Sequence, residues 1–257
     1  MATLKEDPSR LNLGSKIRFA CRPGVKCFNT CCRDVNIFLT PNDVYRMKQR
    51  LNMASTEFLE KYTLMFISKA TGLPVVLLKM RDDNKECHFL TSQGCSIYSD
   101  RPWSCRMYPF SLNTEDETYS IIADQETCLG FKEDREWYLE DWLADQGVLY
   151  QREIDRLFND ALGRLEFPKD KILNSQISRM VYMAAYDLDA FRRFVFESRF
   201  LKIFNIAPPI IEKVKTDDEE LARLAFLWLK FGMSDKNALE IRPEVLQQQG
   251  DLVQNPE

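Results

Sequence analysis

Eight cysteines carry the most evident chemistry of this chain: Cys21, Cys27, Cys31, Cys32, Cys87, Cys95, Cys105 and Cys128. All lie in the first half of 257 residues, and the last 129 residues contain none. Thiols kept only as small apolar side chains would be scattered along the whole length. An even count permits disulfides, but those belong to oxidising compartments. The opening MATLKEDPSRLNLGSK has no apolar segment and no small-residue cleavage site, so a cytoplasmic location is expected. Clustered cysteines in such a chain point to a metal or redox site.

The spacing narrows the chemistry. Cys21-x5-Cys27-x3-Cys31-Cys32 and Cys87-x7-Cys95-x9-Cys105-x22-Cys128 match neither a zinc ribbon nor the regular ferredoxin runs. No CxxC redox pair or radical-SAM CxxxCxxC triplet is present. Soft thiolates suit zinc, copper(I) or an iron–sulfur cluster better than magnesium or calcium. Four of them complete a tetrahedral zinc site or one four-iron cluster, and eight complete two. The side chains of adjacent Cys31 and Cys32 diverge, so the pair serves two sites or leaves one thiol spare.

The neighbours of the cysteines fit an anionic centre. Arg101 and Arg106 flank Cys105 and are the candidate cofactor-binding cations, able to stabilise thiolate and donate to sulfur. Lys16, Arg18, Arg22, Lys26 and Arg33 surround the first four cysteines, with no acid between Lys16 and Asp34. Pro102 and Pro109 stiffen the Cys105 loop, and Tyr98, Tyr108 and Phe110 are expected to shield the site from water. His88, the only histidine, follows Cys87 and is a further possible donor.

The elements that must position these residues are short in the first half. Thr40-Pro41 with Asp43 reads as a helix start, and Val44, Met47 and Leu51 give helical spacing. A second helix follows Ser55, carrying Phe58, Leu59 and Tyr62. Leu73 to Met80 reads as a buried strand; residues 111–113 and 118–123 read as a hairpin around Glu115-Asp116. From Glu133 the pattern is helical, with breaks at Gly147 and Pro168, a helix over about 170–200, Pro208-Pro209, and a helix over 217–231. The aromatics of this half are expected in the core. The fold class is α+β: a small cysteine-rich domain with a small antiparallel sheet, followed by a mostly helical C-terminal region. Its expected parts are an arm (1–19), a cysteine-cluster domain (20–130), a helical region (131–243) and a flexible tail (244–257).

Several motifs together resemble a known family. Cys27-x3-Cys31-Cys32, Cys87-His88-Phe89-Leu90, Gly94-Cys95-Ser96-Ile97-Tyr98, Arg101 to Phe110 (RPWSCRMYPF) and Cys128 are similar to the YkgJ-type cysteine-cluster family. That family is described as a zinc- or iron-chelating domain. The resemblance implies Cys27, Cys31, Cys32, Cys87, Cys95, Cys105 and Cys128 as the shared metal-binding cysteines. Cys21 lies further from Cys27 than the family's first cysteine often does. Flagellin lysine N-methylases are similar in cysteine pattern, which implies an iron–sulfur cluster and, as an alternative, a protein-lysine methylase-like enzyme.

Composition excludes other classes. With 45% hydrophobic and 29% charged residues the chain is globular, and no apolar run is long enough for a membrane span. A net charge of −4 gives no electrostatic footprint for nucleic acid. Residues 1–130 hold 17 Lys/Arg against 15 Asp/Glu, whereas residues 131–257 hold 18 against 24. No phosphate-binding glycine loop or nucleophile elbow occurs. The expectation is therefore a thiolate metal-binding protein, first an iron–sulfur cluster (4Fe-4S) with a redox role. The alternative is a structural zinc module, with the helical region contacting a protein partner in either case.

Overall fold

The computed structural model describes residues 10–149, 153–162, 175–245 and 247. The Pro168 break, the start of the helix expected near 170 and most of the expected tail lie outside these residues. The chain forms two compact units, each discontinuous in sequence: 1–39 with 78–151, and 40–77 with 152–257. All eight cysteines fall in the first. Small antiparallel sheets mark that half and helices dominate the C-terminal region, so the α+β class holds.

In the first unit the ends of the sequence segment meet. Lys16–Arg18 pairs antiparallel with Glu136–Tyr138, Ile17 opposite Trp137. Alternation sends Ile17 inward between exposed Lys16 and Arg18. The hairpin pairs Phe110–Asn113 with Thr118–Ile121, and Asp116 accepts from the Thr118 hydroxyl at 2.7 Å to fix the turn. Leu139–Asp145 is a helix whose Leu139, Trp142 and Leu143 share one face. These elements enclose Phe19, Met107, Phe110 and Tyr119. Phe110 and Trp142 meet edge to face at 4.9 Å, as ring quadrupoles prefer.

The expected break at Gly147 is present, and its cause is backbone conformation. Gly147 has φ +67°, and a Cβ there would stand 2.7 Å from Arg106 Nη1. Gly147→Ala should therefore cost about 1–2 kcal/mol from the left-handed backbone. A urea midpoint unchanged from the parent would refute this.

The second unit begins as expected. Pro41–Arg50 is a helix with a capping box: Asp43 N donates to Thr40 Oγ1 (3.1 Å) and Thr40 N to the Asp43 carboxylate (2.9 Å). Val44 and Met47 are buried on its inner face, and Phe58 and Leu59 on that of Ser55–Tyr62. The strand expected over 73–80 is Pro74–Leu78, with Pro74, Val76 and Leu78 buried alternately. It pairs with Thr63–Ile67, a strand the sequence pattern had not revealed, whose Leu64 to Ile67 are all exposed. With no buried face, that segment shows no period for pattern reading.

The helix expected over 170–200 is instead divided. Ser175–Tyr186 ends, Asp187 caps Leu188–Glu197 by accepting from Ala190 N at 3.2 Å, and Phe200–Ile203 follows. The Asp187 carboxylate also takes the Thr56 hydroxyl at 2.8 Å, a tertiary bond that favours the break. Pro208 and Pro209 open a short helix, Pro208–Lys213, where proline's missing N–H has no partner to lose. The expected last helix is Asp218–Met233, capped by Asp217, whose carboxylate accepts from Glu219 N (2.9 Å) and Glu220 N (3.1 Å). Leu221, Leu224 and Leu229 are buried while Leu227 is partly exposed. Phe191, Phe194, Phe200 and Trp228 pack together, as expected of core aromatics.

Candidate metal centre

Short turns and pairings carry the cysteines. Ala20 N donates to Gly130 O at 3.0 Å, which brings the backbone beside Cys21 against the loop that follows Cys128. Glycine is needed at 130, since a Cβ there would lie 2.7 Å from the Phe19 ring. On the same loop Leu129 N donates to Cys27 Sγ at 3.2 Å. Asn29, in the left-handed region at φ 69°, then turns the chain into the Thr30–Cys32 3-10 turn that ends on the adjacent pair.

Beyond the pair the chain meets a different loop. Cys87 N donates to Cys32 O at 2.9 Å, and Arg33 bridges to Glu86. Leu90 N closes a turn on Cys87 O at 3.0 Å, and Leu90 then faces Cys95 across a two-residue ladder. Cys105 sits on the Trp103–Met107 helix, whose Ser104 hydroxyl donates to Phe38 O at 3.3 Å.

The thiols act on one another in two neighbourhoods. Burial pushes the Cys21 thiol up to about 11, and Cys31, Cys27 and Cys128 add to the rise. Burial also raises Cys128, and Cys27 and Cys31 add to the rise. Tyr108 stands beside the same four sulfurs and is pushed up to about 12, first by burial and then by their charge. Around Cys32 the acting thiols are Cys31, Cys105 and Cys87, and around Cys87 it is Cys95. The adjacent pair shares a hydrogen bond: Cys31 is lowered to about 7 by the Cys32 S–H, and Cys32 is correspondingly raised.

Residues 20–129 match the model of the CxxCxxCC family, described as a "putative zinc- or iron-chelating domain". This segment is a CxxCxxCC domain. No curated protein and no solved structure matches the chain. The family's label spells two-residue gaps, whereas this chain has x5 and x3 before Cys31-Cys32. The matched span also includes residues 40–77, which belong to the second compact unit.

Within the CxxCxxCC domain the two arginines are placed differently. Arg106 is buried and donates to main-chain carbonyls: Arg101 O (2.9 Å), Gln146 O (3.1 Å) and Ser99 O. It clamps the loop between Cys95 and Cys105. Arg101 donates to Tyr98 O at 2.8 Å and to the Gln146 side chain, and its charge opposes the rise that burial imposes on the Cys21 and Cys95 thiols. The expected shield is divided as well. Tyr108 faces sulfurs, Phe110 lies in the apolar core, and Tyr98 is exposed with its ring under Arg101 at 3.8 Å.

Several other groups complete the surroundings. The basic loop is partly paired, Arg22 with Glu133 (2.5 Å) and Arg33 with Glu86 (2.8 Å). Burial lowers the His88 imidazole, and the charges acting most on it are Arg81, Lys79, Asp82 and Asp83. Sequence reading missed Gln146 and the main-chain donor Leu129. Main-chain N–H groups leave no mark in side-chain identity.

Among the described residues no group of three or more His, Cys, Asp or Glu side chains is placed to hold a metal ion. The donor chemistry nevertheless fits zinc or iron: eight free thiols share one compact unit, Cys27 accepts a main-chain N–H, and Arg101 is buried in the same unit. Cys21, Cys27, Cys31, Cys32, Cys87, Cys95, Cys105 and Cys128 are the residues that would hold the metal.

Proposed function

We propose that the CxxCxxCC domain holds an iron–sulfur cluster on its cysteine thiolates and serves a redox role. The observation that supports this reading is main-chain donation to sulfur. Leu129 N donates to Cys27 Sγ at 3.2 Å, and the main chain at Gly130, Phe89, Leu90 and Ile97 acts to lower the Cys128, Cys87 and Cys95 thiols that burial raises. Such donors stabilise thiolate charge and tune a cluster's potential. A bound cluster supplies one-electron redox chemistry, while the chain supplies thiolates, donors and the Arg101 charge. In this reading the protein works in the cytoplasm and its helical unit contacts a protein partner. Among the described residues no helix is long and apolar enough to cross a membrane.

A structural zinc site is the second reading, and element length favours it. Cys31 and Cys32 lie on a three-residue turn and Cys95 on a two-residue strand, elements that gain much order from a metal. Anaerobic purification with elemental analysis and a visible spectrum separates the two. Brown protein with about four iron and four acid-labile sulfide per cluster is expected. Colourless protein with stoichiometric zinc and no sulfide would overturn the cluster and leave the structural module.

A further inference from the structure

We propose that the open edge of Thr63–Ile67 and the facing side of Ser175–Tyr186 form a docking groove for an extended partner peptide that carries an acidic side chain among apolar ones. The surface lies wholly in the second unit and does not depend on which metal the cysteines hold. It goes beyond the chelating role by giving the partner contact a place and a chemistry.

Thr63–Ile67 ends its sheet. Pro74–Leu78 is its neighbour on one side, and among the described residues no strand lies on the other. Its outer row of N–H and C=O groups is a template for a further strand. Natural edges are commonly blunted by a charge or a proline, and the segment TLMFI has neither. It exposes Leu64 (43%), Met65 (44%), Phe66 (53%) and Ile67 (45%) instead, and apolar surface of this kind marks a contact site.

A helix supplies the second wall. Met65 and Ile67, two apart and so on one face of the strand, line a cavity of about 290 Å³ with Ser175, Ser178, Arg179 and Tyr182. Those four stand at i, i+3, i+4 and i+7 and share one side of their helix. The buried Ser178 hydroxyl donates to Gly72 O at 2.7 Å, which pins the helix to the turn between the two strands. A chain laid along the edge would pair main chain to main chain and set alternate side chains on Met65 and Ile67.

Charge selects the occupant. Arg179 is the charged residue of this lining, and its Nε donates to Ser175 O at 3.2 Å. No carboxylate among the described residues pairs with it. Glu60 and Asp187 act instead on the Tyr182 phenol, so the cationic end of the groove is the Arg179 end. An acidic side chain on the peptide complements that end. A second copy does not, because Thr63–Ile67 has no carboxylate to bring to its partner's groove. A five-residue edge also suits a peptide better than a stable dimer, which buries about 800 Å² per partner.

The test is selection of displayed random peptides, about ten residues long to exceed the strand, against the full chain with the metal it carries. Enriched sequences should alternate apolar residues and hold Asp or Glu at one fixed position. A synthetic copy of the best peptide should lose about tenfold or more in affinity to Arg179→Glu. The same peptide with lysine in place of its acid should regain binding to that variant. N-methylation of alternate peptide nitrogens should abolish binding, a loss that a contact made through side chains alone would not show.

Arg179 is exposed, and circular dichroism checks that the variant folds; should it not, the N-methylated peptides and competition by Ile67→Lys decide. No enriched peptide, or one indifferent to Arg179→Glu, would overturn the proposal. So would sedimentation as a dimer that Ile67→Lys dissolves, since a second copy would then be the occupant. Metal content per chain should be the same in Arg179→Glu as in the parent, so a failure of the groove leaves the chelating role standing.

Discussion

Lys48→Met should destabilise the helical unit by about 3–5 kcal/mol, the cost of leaving buried charge without its partner. The Lys48 side chain is only 8% exposed, with its ammonium 2.5 Å from Asp218 and 3.6 Å from Asp189. Arg192 reaches the same two carboxylates, bonding Asp189 at 2.8 Å, so part of the compensation survives and the lower end is expected. Ser55 ties the network to a fourth helix: Asp189 N donates to its Oγ at 2.8 Å, and that hydroxyl lies 2.7 Å from Asp187 Oδ1. Urea unfolding followed by helical circular dichroism measures the loss, and a change under 1 kcal/mol would sink the argument.

The same network carries a pH dependence. Burial raises the Asp189 carboxyl, but the Ser55 N–H, the Lys48 ammonium, the Ser55 hydroxyl and Arg192 outweigh it, so its pKa is lowered. A depressed folded-state pKa contributes stability above the unfolded value of about 4, which is lost as pH falls through the folded value. Lys48→Met should therefore also flatten the acid limb of the stability profile.

Arg106→Met should cost the cysteine unit roughly 3–4 kcal/mol. Its guanidinium donates to three carbonyls, those of Ser99, Arg101 and Gln146, and truncation leaves them with fewer donors inside the protein. Each bond from a charged donor is worth about 1.5–3 kcal/mol, with partial relaxation reducing the sum. Arg106→Lys should recover little, because one ammonium cannot present a planar fork to three acceptors. The loop it holds carries Cys95 at one end and Cys105 at the other. Faster alkylation of Cys105 in folded Arg106→Met would show that the clamp positions the thiol. An unfolding midpoint equal to that of the parent would mean the three carbonyls do not depend on Arg106.

Some of this architecture was legible locally. The Thr40 capping box, the hairpin around Asp116 and the Gly147 stop are set by residues within a few positions of one another, so identity and spacing suffice. The division at Asp187 was not legible, because the carboxylate is also held by Thr56, 131 residues away in sequence. Thr63–Ile67 gave no alternation, since none of its apolar residues after Thr63 is buried.

The sequence by itself determined that every cysteine lies before residue 129 and that their setting is α+β with helices after it. Residue types and local spacing contain that much, and the CxxCxxCC match rests on the same residues. Only the tertiary structure decided that the chain leaves the cysteine unit at Leu39 and returns at Leu78, and that Arg106 and Arg101 both direct their donors to oxygen acceptors. It alone brought Cys128 to Cys27 and Cys87 to Cys32. These are non-local pairings, set by main-chain hydrogen bonds and by where loops close, and no one-dimensional spacing encodes them.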